Sequence, residues 1–404
     1  MRLHWQILTA VVAGALCGLL LPGLSPYVAW IGNLFMNALS MLIVPILFFS
    51  IVDSISGIGA TGAELRKLSA KTLACYVTTM LLAIVTGLVL VNVIAPGVGA
   101  QVSENLSAAL PQGLGAVSVE DIVSGFIPKN IFYSFTQNNT MPVILIAVLV
   151  GLALPKLSAE QPKEALTNLF KGGLELTLHI TRWVIVCSPV GIFAIVVRQF
   201  STAPDFSALL QTIFLYTLTV VLGLAIHTFV WFPLILRFGF HVDARRHLKN
   251  MSTPLLTAFS TASSGATLPL TLHAVEHKDG VSPRVARFVV PLGSAVNMSG
   301  TALLECVAVL FIAQAYGVDL SVGQQLTVVF TSLICAIGAA GIPMAALVMM
   351  TMILHAVHLP IEGIGLVIGV DRLLDMMRTT VNVYGDTCVA VMVAKSEGET
   401  LSIE

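Results

Sequence analysis

Long apolar runs at 5–21, 29–56, 72–95, 140–157, 173–199 and 209–236 dominate the first part of the chain. A helix needs about 20 mostly apolar residues to cross roughly 30 Å of hydrocarbon, so each run predicts a membrane span. The first run follows Arg2 and has no convincing cleavage site, which makes it a retained span and not a signal peptide. Basic residues cluster in every second connection: Arg66, Lys67 and Lys71, then Lys156, Lys163 and Lys171, then Arg245, Arg246 and Lys249. Lys and Arg accumulate on the cytoplasmic side of membranes. That rule puts these three loops and the N-terminus in the cytoplasm, and the loop 96–138, with Glu104, Glu120 and Asp121, outside.

Beyond Asn250 the apolar stretches shorten, and small polar residues interrupt them where a spanning helix would have its middle. A hairpin-like segment centres on Ser260-Thr261-Ala262-Ser263-Ser264-Gly265-Ala266-Thr267-Leu268-Pro269, and the long segment after it breaks at Asn297-Met298-Ser299-Gly300-Thr301. The plan then repeats, with a hairpin at Gly338-Ala339-Ala340-Gly341-Ile342-Pro343 and a helix at roughly 364–394. Gly and Pro also serve as packing or kink residues, but their recurrence in register favours an internal structural repeat. Irregular backbone at membrane depth is tolerated only where protein or a water-filled cavity satisfies it. Paired broken segments therefore point to a transporter's binding site.

Composition agrees. Of 404 residues, 10% are charged, against about a quarter in soluble domains, and 56% are hydrophobic. This excludes an ordinary soluble enzyme. A net charge of -1 offers no electrostatic basis for binding nucleic acid. The six cysteines sit singly in apolar segments and read as buried thiols. Without a P-loop, ATP-driven transport by this chain alone has no support.

The chemistry concentrates in the last helix. Asp371, Asp375, Arg378, Asn382 and Asp386 fall on one helical stripe, with Thr379 on the same side. A charge at the centre of a span costs about 2.5–3.5 kcal/mol, so the stripe needs partners. An Asp375–Arg378 ion pair is one answer. An α-amino acid is another, because its ammonium and carboxylates match a carboxylate and a guanidinium. Asp386, a hard oxygen ligand, is suited to combine with backbone carbonyls at the Asn297–Gly300 break to hold an alkali cation.

The serine-rich Ser263–Pro269 segment, the Asn297–Thr301 break, Ala340-Gly341-Ile342-Pro343, and Asp375-Met376-Met377-Arg378-Thr379-Thr380-Val381-Asn382 through Gly385-Asp386 resemble, in order, the motifs of the glutamate transporter family, the dicarboxylate/amino acid:cation symporters. Val44–Ser50 extends the likeness into the second span. The resemblance implies an all-α polytopic protein of eight transmembrane helices and two re-entrant helical hairpins. Inverted repeats, a homotrimer in the lipid of the inner (plasma) membrane, and an elevator mechanism come with it. The scaffold would comprise 1–71, 96–172 and 173–208, and the moving transport domain 72–95, 209–250, 251–315 and 316–404.

Carried over by position, Asp375 would hold the substrate ammonium and Arg378 its side-chain carboxylate, with Thr301, Thr379, Asn382 and Ser264 adding polar atoms. Sodium would bind Asp386 with the carbonyls of Gly293, Asn297 and Asn382. A second sodium would bind the carbonyls of Ala295, Ala336, Ile337 and Ala339. A third family site maps to Tyr76, Thr79, Asn297 and Ser299. Met80 and Ser299 replace a hydroxyl and a carboxylate there, which weakens it. Glu305, where proton-coupled relatives have a glutamate, is a candidate proton carrier, since burial disfavours a charged carboxylate. The arginine that the family places near the binding aspartate is absent from its two usual positions, Ala262 and Met376. The implied function is sodium-coupled, and through Glu305 proton-coupled, import of aspartate or glutamate. A proton-coupled C4-dicarboxylate or neutral amino-acid carrier and an ion channel stand as alternatives.

Overall fold

A computed structural model describes residues 3–404 except 60–62, 101–126, 137–139, 202–205 and 339–344. Among the described residues the protein is helical and has no strand. Prolines and small residues divide the apolar runs. Helix α1 (Leu3–Leu20) stops at a short turn, Pro22–Leu24, and α2 (Ser25–Gly59) follows at 109° to it. Next come α3 (Ala63–Ile94), the short α4 (Ile131–Thr136) and α5 (Thr140–Ala153).

The run expected as one span at 173–199 is instead two helices, α6 (Glu160–Val186) and α7 (Ser188–Ser201), bent by 56°. Pro189 explains the break, because its ring cannot donate to the preceding turn and clashes with it. Helix α8 (Phe206–Ile226) continues through wider turns to Gly239. All three basic clusters expected in loops are largely helical: Arg66, Lys67 and Lys71 lie in α3, Lys163 and Lys171 in α6, and Arg245, Arg246 and Lys249 in the short helix Ala244–Asn250. Lys is a good helix former, so a basic loop is readily absorbed into the helix that follows it.

The second half holds α9 (Ala244–Asn250), α10 (Ser252–Thr261), α11 (Ser264–Ala274), α12 (Pro283–Val296), α13 (Ser299–Ala315), α14 (Val322–Gly338), α15 (Ala345–Ala356) and α16 (Ile368–Ser396). The first expected hairpin is present as α10 and α11, which turn back on each other at Ala262, in the left-handed conformation, and Ser263, whose hydroxyl caps α11. The partner hairpin pairs α14 with α15, and its expected tip lies outside the described residues.

By length and composition, three described helices cross a membrane unaided, Lys67–Ile94, Ser207–Gly239 and Pro283–Ala315, or up to five spans if each bent pair counts as one. That is fewer than the eight expected, since α1 and the start of α2 count as one bent pair, α5 is short and α16 is charged along its length. Helices α1, α2, α5, α6 and α7 pack mainly among themselves, as do α3, α8 and α10–α16, with α2 touching α14 and α15 across the division. In the apolar 18-residue stretch of Pro283–Ala315, 89% of residues are buried, against 33% in those of Lys67–Ile94 and Ser207–Gly239. The broken helix is thus surrounded by protein, and the other two each keep an exposed apolar face. Cysteines 306, 335 and 388 are buried as expected, but Cys187, at the α6–α7 bend, is exposed.

At one end of the molecule the start of α3, α9, the end of the first hairpin and the C-terminus are laced together. Lys71 pairs with Glu397, Arg287 with Glu276, and Asp243 caps α9 by accepting from the amides of Arg245 and Arg246. The amides of Arg246 and Arg245 hold the Asp243 carboxyl below the usual carboxylate range, and the hydrogen bonds from Lys71 and Arg287 do the same for Glu397 and Glu276.

Candidate functional site

The α12–α13 break and the middle of α16 form one buried polar cluster. The chain leaves helical geometry at Asn297 (φ -90°, ψ 100°) and Met298 (φ -121°, ψ 53°), and four hydrogen bonds sew the break to α16. The Asn297 side-chain amide donates to Asp386 Oδ1 at 2.9 Å and to the Asn382 carbonyl at 3.4 Å. The Gly300 amide donates to Asn382 Oδ1 at 2.8 Å, and Asn382 Nδ2 donates to Thr301 Oγ1 at 3.3 Å. Glycine is required at two of these crossings. A Cβ on Gly300 would lie 2.8 Å from the Arg378 carbonyl oxygen, and one on Gly293 would lie 2.3 Å from the Tyr76 hydroxyl and 2.4 Å from Asp386 Oδ1.

One turn earlier on α16 the charges pair. Arg378 Nη2 and Nε donate to Asp375 Oδ1 at 2.8 and 3.1 Å, and Nη1 stands 3.7 Å from Asp371 Oδ1, beyond hydrogen-bond reach. Arg378 is 4% exposed, and its Nη1 has no hydrogen-bond partner among the described residues. Buried donors are nearly always satisfied, so a vacant nitrogen on a buried guanidinium marks a place for an acceptor. Arg372, which sequence reasoning passed over, donates from Nη1 to the other oxygen of Asp375, Oδ2, at 3.0 Å. The signal was available in the three-residue spacing that puts Arg372 on the face of Asp375.

Oxygen ligands gather below the guanidinium. Asp386 and Asn297 are buried, and Asn297 Oδ1 has no hydrogen-bond partner among the described residues. Gly293 and Ala295 lie in the last turn of α12, where carbonyls run out of intrahelical donors; Gly293 O still accepts one bond, from the Asn297 backbone amide at 2.7 Å, and has a second lone pair. A carboxylate, an amide oxygen and helix-terminal carbonyls suit a hard cation such as sodium. Ala336 and Ile337 occupy the last turn of α14, while Ala339 lies outside the described residues.

The remaining candidates are placed as follows. Thr301 and Thr379 are buried beside the cluster, whereas Ser264, the first residue of α11, is half-buried and has no hydrogen bond to the α16 stripe among the described residues. Tyr76 is fully buried and donates to the Val289 carbonyl at 3.0 Å. Its hydroxyl borders Gly293, and so joins the Asp386 cluster. Thr79 donates to the carbonyls of Cys75 and Tyr76, Met80 is buried, and Ser299 Oγ is buried without a partner among the described residues. Both carboxyl oxygens of Glu305 are likewise buried and without partners there.

Comparison with known proteins bears on the family of the chain as a whole. The model of the sodium:dicarboxylate symporter family matches residues 3–396. An excitatory amino acid transporter of Caenorhabditis elegans is 32% identical over 95% of this chain and 86% of its own length. Excitatory amino acid transporter 3 of Mus musculus is 30% identical over 100% and 88%, and a proton/sodium-glutamate symport protein of Geobacillus stearothermophilus 30% over 98% and 95%. With a family match along almost its whole length, a helical fold and long apolar helices, this chain belongs to the sodium:dicarboxylate symporter family, as a multi-pass membrane transporter of a small molecule and not an enzyme.

Proposed function

We propose that this chain is a secondary active symporter that imports an acidic amino acid, aspartate or glutamate, with sodium. The observation that carries the reading is Arg378: a buried guanidinium, oriented by Asp375, whose Nη1 lies 3.7 Å from Asp371 and makes no hydrogen bond among the described residues. The substrate's side-chain carboxylate would take that nitrogen, its ammonium would go to Asp375, and Thr301, Thr379, Asn382 and Ser264 would complete the shell. Sodium, as cargo, would sit against Asp386, Asn297, Asn382 and Gly293, and a second ion against carbonyls of Ala295, Ala336, Ile337 and Ala339. The bacterial relative is named as a glutamate symport protein, which supports the substrate class.

The third sodium site, at Tyr76, Thr79, Asn297 and Ser299, is weakened by Met80 and Ser299. Glu305 supplies a specific reason to add a proton, because a carboxylate buried without partners costs far more ionised than neutral. One sodium moved down 100 mV is worth about 2.3 kcal/mol, and a tenfold gradient adds about 1.4 kcal/mol. A lost ion therefore costs several hundredfold in concentrating power unless a proton replaces it. The packing of α3, α8 and α10–α16 apart from α1, α2 and α5–α7 supports an elevator, with the first group moving against the second. We assign it to a homotrimer in the plasma membrane, with the N-terminus in the cytoplasm.

Uptake of labelled aspartate and glutamate into proteoliposomes, with sodium and proton gradients imposed separately, tests the reading. A sodium gradient alone should drive concentrative uptake, and Arg378→Ala should abolish it. Uptake driven only by protons would transfer the coupling to Glu305. Uptake driven by neither would overturn the transporter's assigned substrate.

A further inference from the structure

Asp375, the proposed ammonium ligand, is already occupied. Arg378 holds one of its oxygens through two nitrogens, and Arg372 holds the other at 3.0 Å. Oδ1 already accepts two hydrogen bonds, so a substrate ammonium must approach Oδ2, where it competes with Arg372 for space and charge. The two arginines differ in how readily they would let go. Arg378 is 4% exposed and stands between two aspartates, whereas the Arg372 side chain is 37% exposed and makes a single hydrogen bond to Asp375. Arg372 is therefore the one that can swing away toward water, and its departure frees Oδ2 and leaves Arg378 in place for a carboxylate.

We propose that Arg372 is an internal stand-in for the substrate ammonium, pairing with Asp375 when the site is empty and yielding it when an α-amino acid binds. The inference rests on the acidic amino-acid reading above. Charge gives it a second basis. Asp371, Arg372, Asp375 and Arg378 carry two charges of each sign, so this group of four is balanced without substrate. An uncompensated charge at membrane depth is costly. A carrier that must return empty through the membrane needs this balance, and one that returns loaded has the substrate's own ammonium on Asp375. Arg372 would thus compete with substrate for binding and speed the empty return.

These two effects separate in transport assays on the full chain in proteoliposomes. Arg372→Ala and Arg372→Gln are compared with wild type for aspartate and glutamate affinity, net uptake, and exchange against internal substrate. Loss of a half-exposed ion pair should tighten substrate binding by about twofold to fivefold. Net uptake should slow by about tenfold while exchange stays within about twofold, and Arg372→Lys should restore both. Unchanged affinity and unchanged net uptake in both variants, or net uptake and exchange falling together, would overturn the role given to Arg372 and leave the substrate assignment intact. A wild-type protein that moves neither acidic amino acid would overturn that assignment, and this inference with it.

Discussion

Helices α6 and α16 both carry ionisable residues along most of their length, and the fold treats them in opposite ways. Lys171, Glu175 and Arg182 of α6 are exposed, and among the described residues no ion pair joins them. Asp371, Arg378 and Asp386 of α16 are buried, and Asp371 and Arg378 stand within an ion-pair network. Helix α6 packs mainly on α2, which leaves its polar face open. Helix α16 is enclosed by α10, α12 and α13, so each of its charges pays desolvation and needs a partner. Burial, and not the presence of charge, separates a candidate site from a polar face.

Substitutions can break this comparison. The largest effect is expected at Arg378. Truncating one partner of a buried, hydrogen-bonded charge pair costs about 2–5 kcal/mol of binding, so Arg378→Ala should weaken substrate binding by about two orders of magnitude or more in an equilibrium binding assay. Arg378→Lys should fail nearly as badly, because an ammonium cannot replace the planar fork that reaches Asp375 and an acceptor together. At Asp386, Asp386→Asn should raise the sodium concentration for half-maximal uptake at least about tenfold, or about 1.4 kcal/mol. Gly293→Ala forces a methyl group against Tyr76 and Asp386. An overpacked site of this kind should lose about 1–3 kcal/mol of stability in thermal unfolding, together with its sodium response.

Acid should act on a different part of the molecule. The carboxyls of Asp243, Glu276 and Glu397 are held below the ordinary range. Their contribution to stability is therefore fully present above that range and is lost as pH falls through the lowered values. Hydrogen exchange, corrected for its intrinsic pH dependence, should show the segments around 243–250 and 397–404 loosening as pH falls below the ordinary carboxylate range while the α13 amides stay protected. The smallest effect is expected at α6, where Lys171→Gln and Glu175→Gln should shift stability by no more than about 0.5 kcal/mol and leave uptake unchanged. A large loss there would mean that α6 too hides its charges in the assembled protein.

Much of this was legible in the sequence, for physical reasons that also mark where legibility stopped. The 3.6-residue period placed Asp371, Asp375, Arg378, Asn382 and Asp386 on one face, and the Asn297–Thr301 interruption gave the break. Neither could give the contacts between distant segments, such as the Gly300 amide on Asn382 or the Tyr76 hydroxyl at Gly293. Those depend on how helices cross, which no local pattern encodes. The bend at Cys187 was readable from Pro189, but the apolar run continued through it and concealed it. Arg372 was passed over because its importance lies in a partner, Asp375, whose second oxygen only the fold reveals as taken.

Asn382 joins the two halves of the site. Its side chain reaches Gly300 and Thr301, and its carbonyl accepts from the Asn297 amide that also holds Asp386. A ligand that draws on the Asn382 side chain and an ion that draws on Asp386 therefore bias the same few hydrogen bonds. Linkage makes such an influence reciprocal: whatever factor sodium adds to the affinity for substrate, substrate must add to the affinity for sodium. Substrate affinity measured without sodium and at saturating sodium, in wild type and in Asp386→Asn, would measure that coupling free energy.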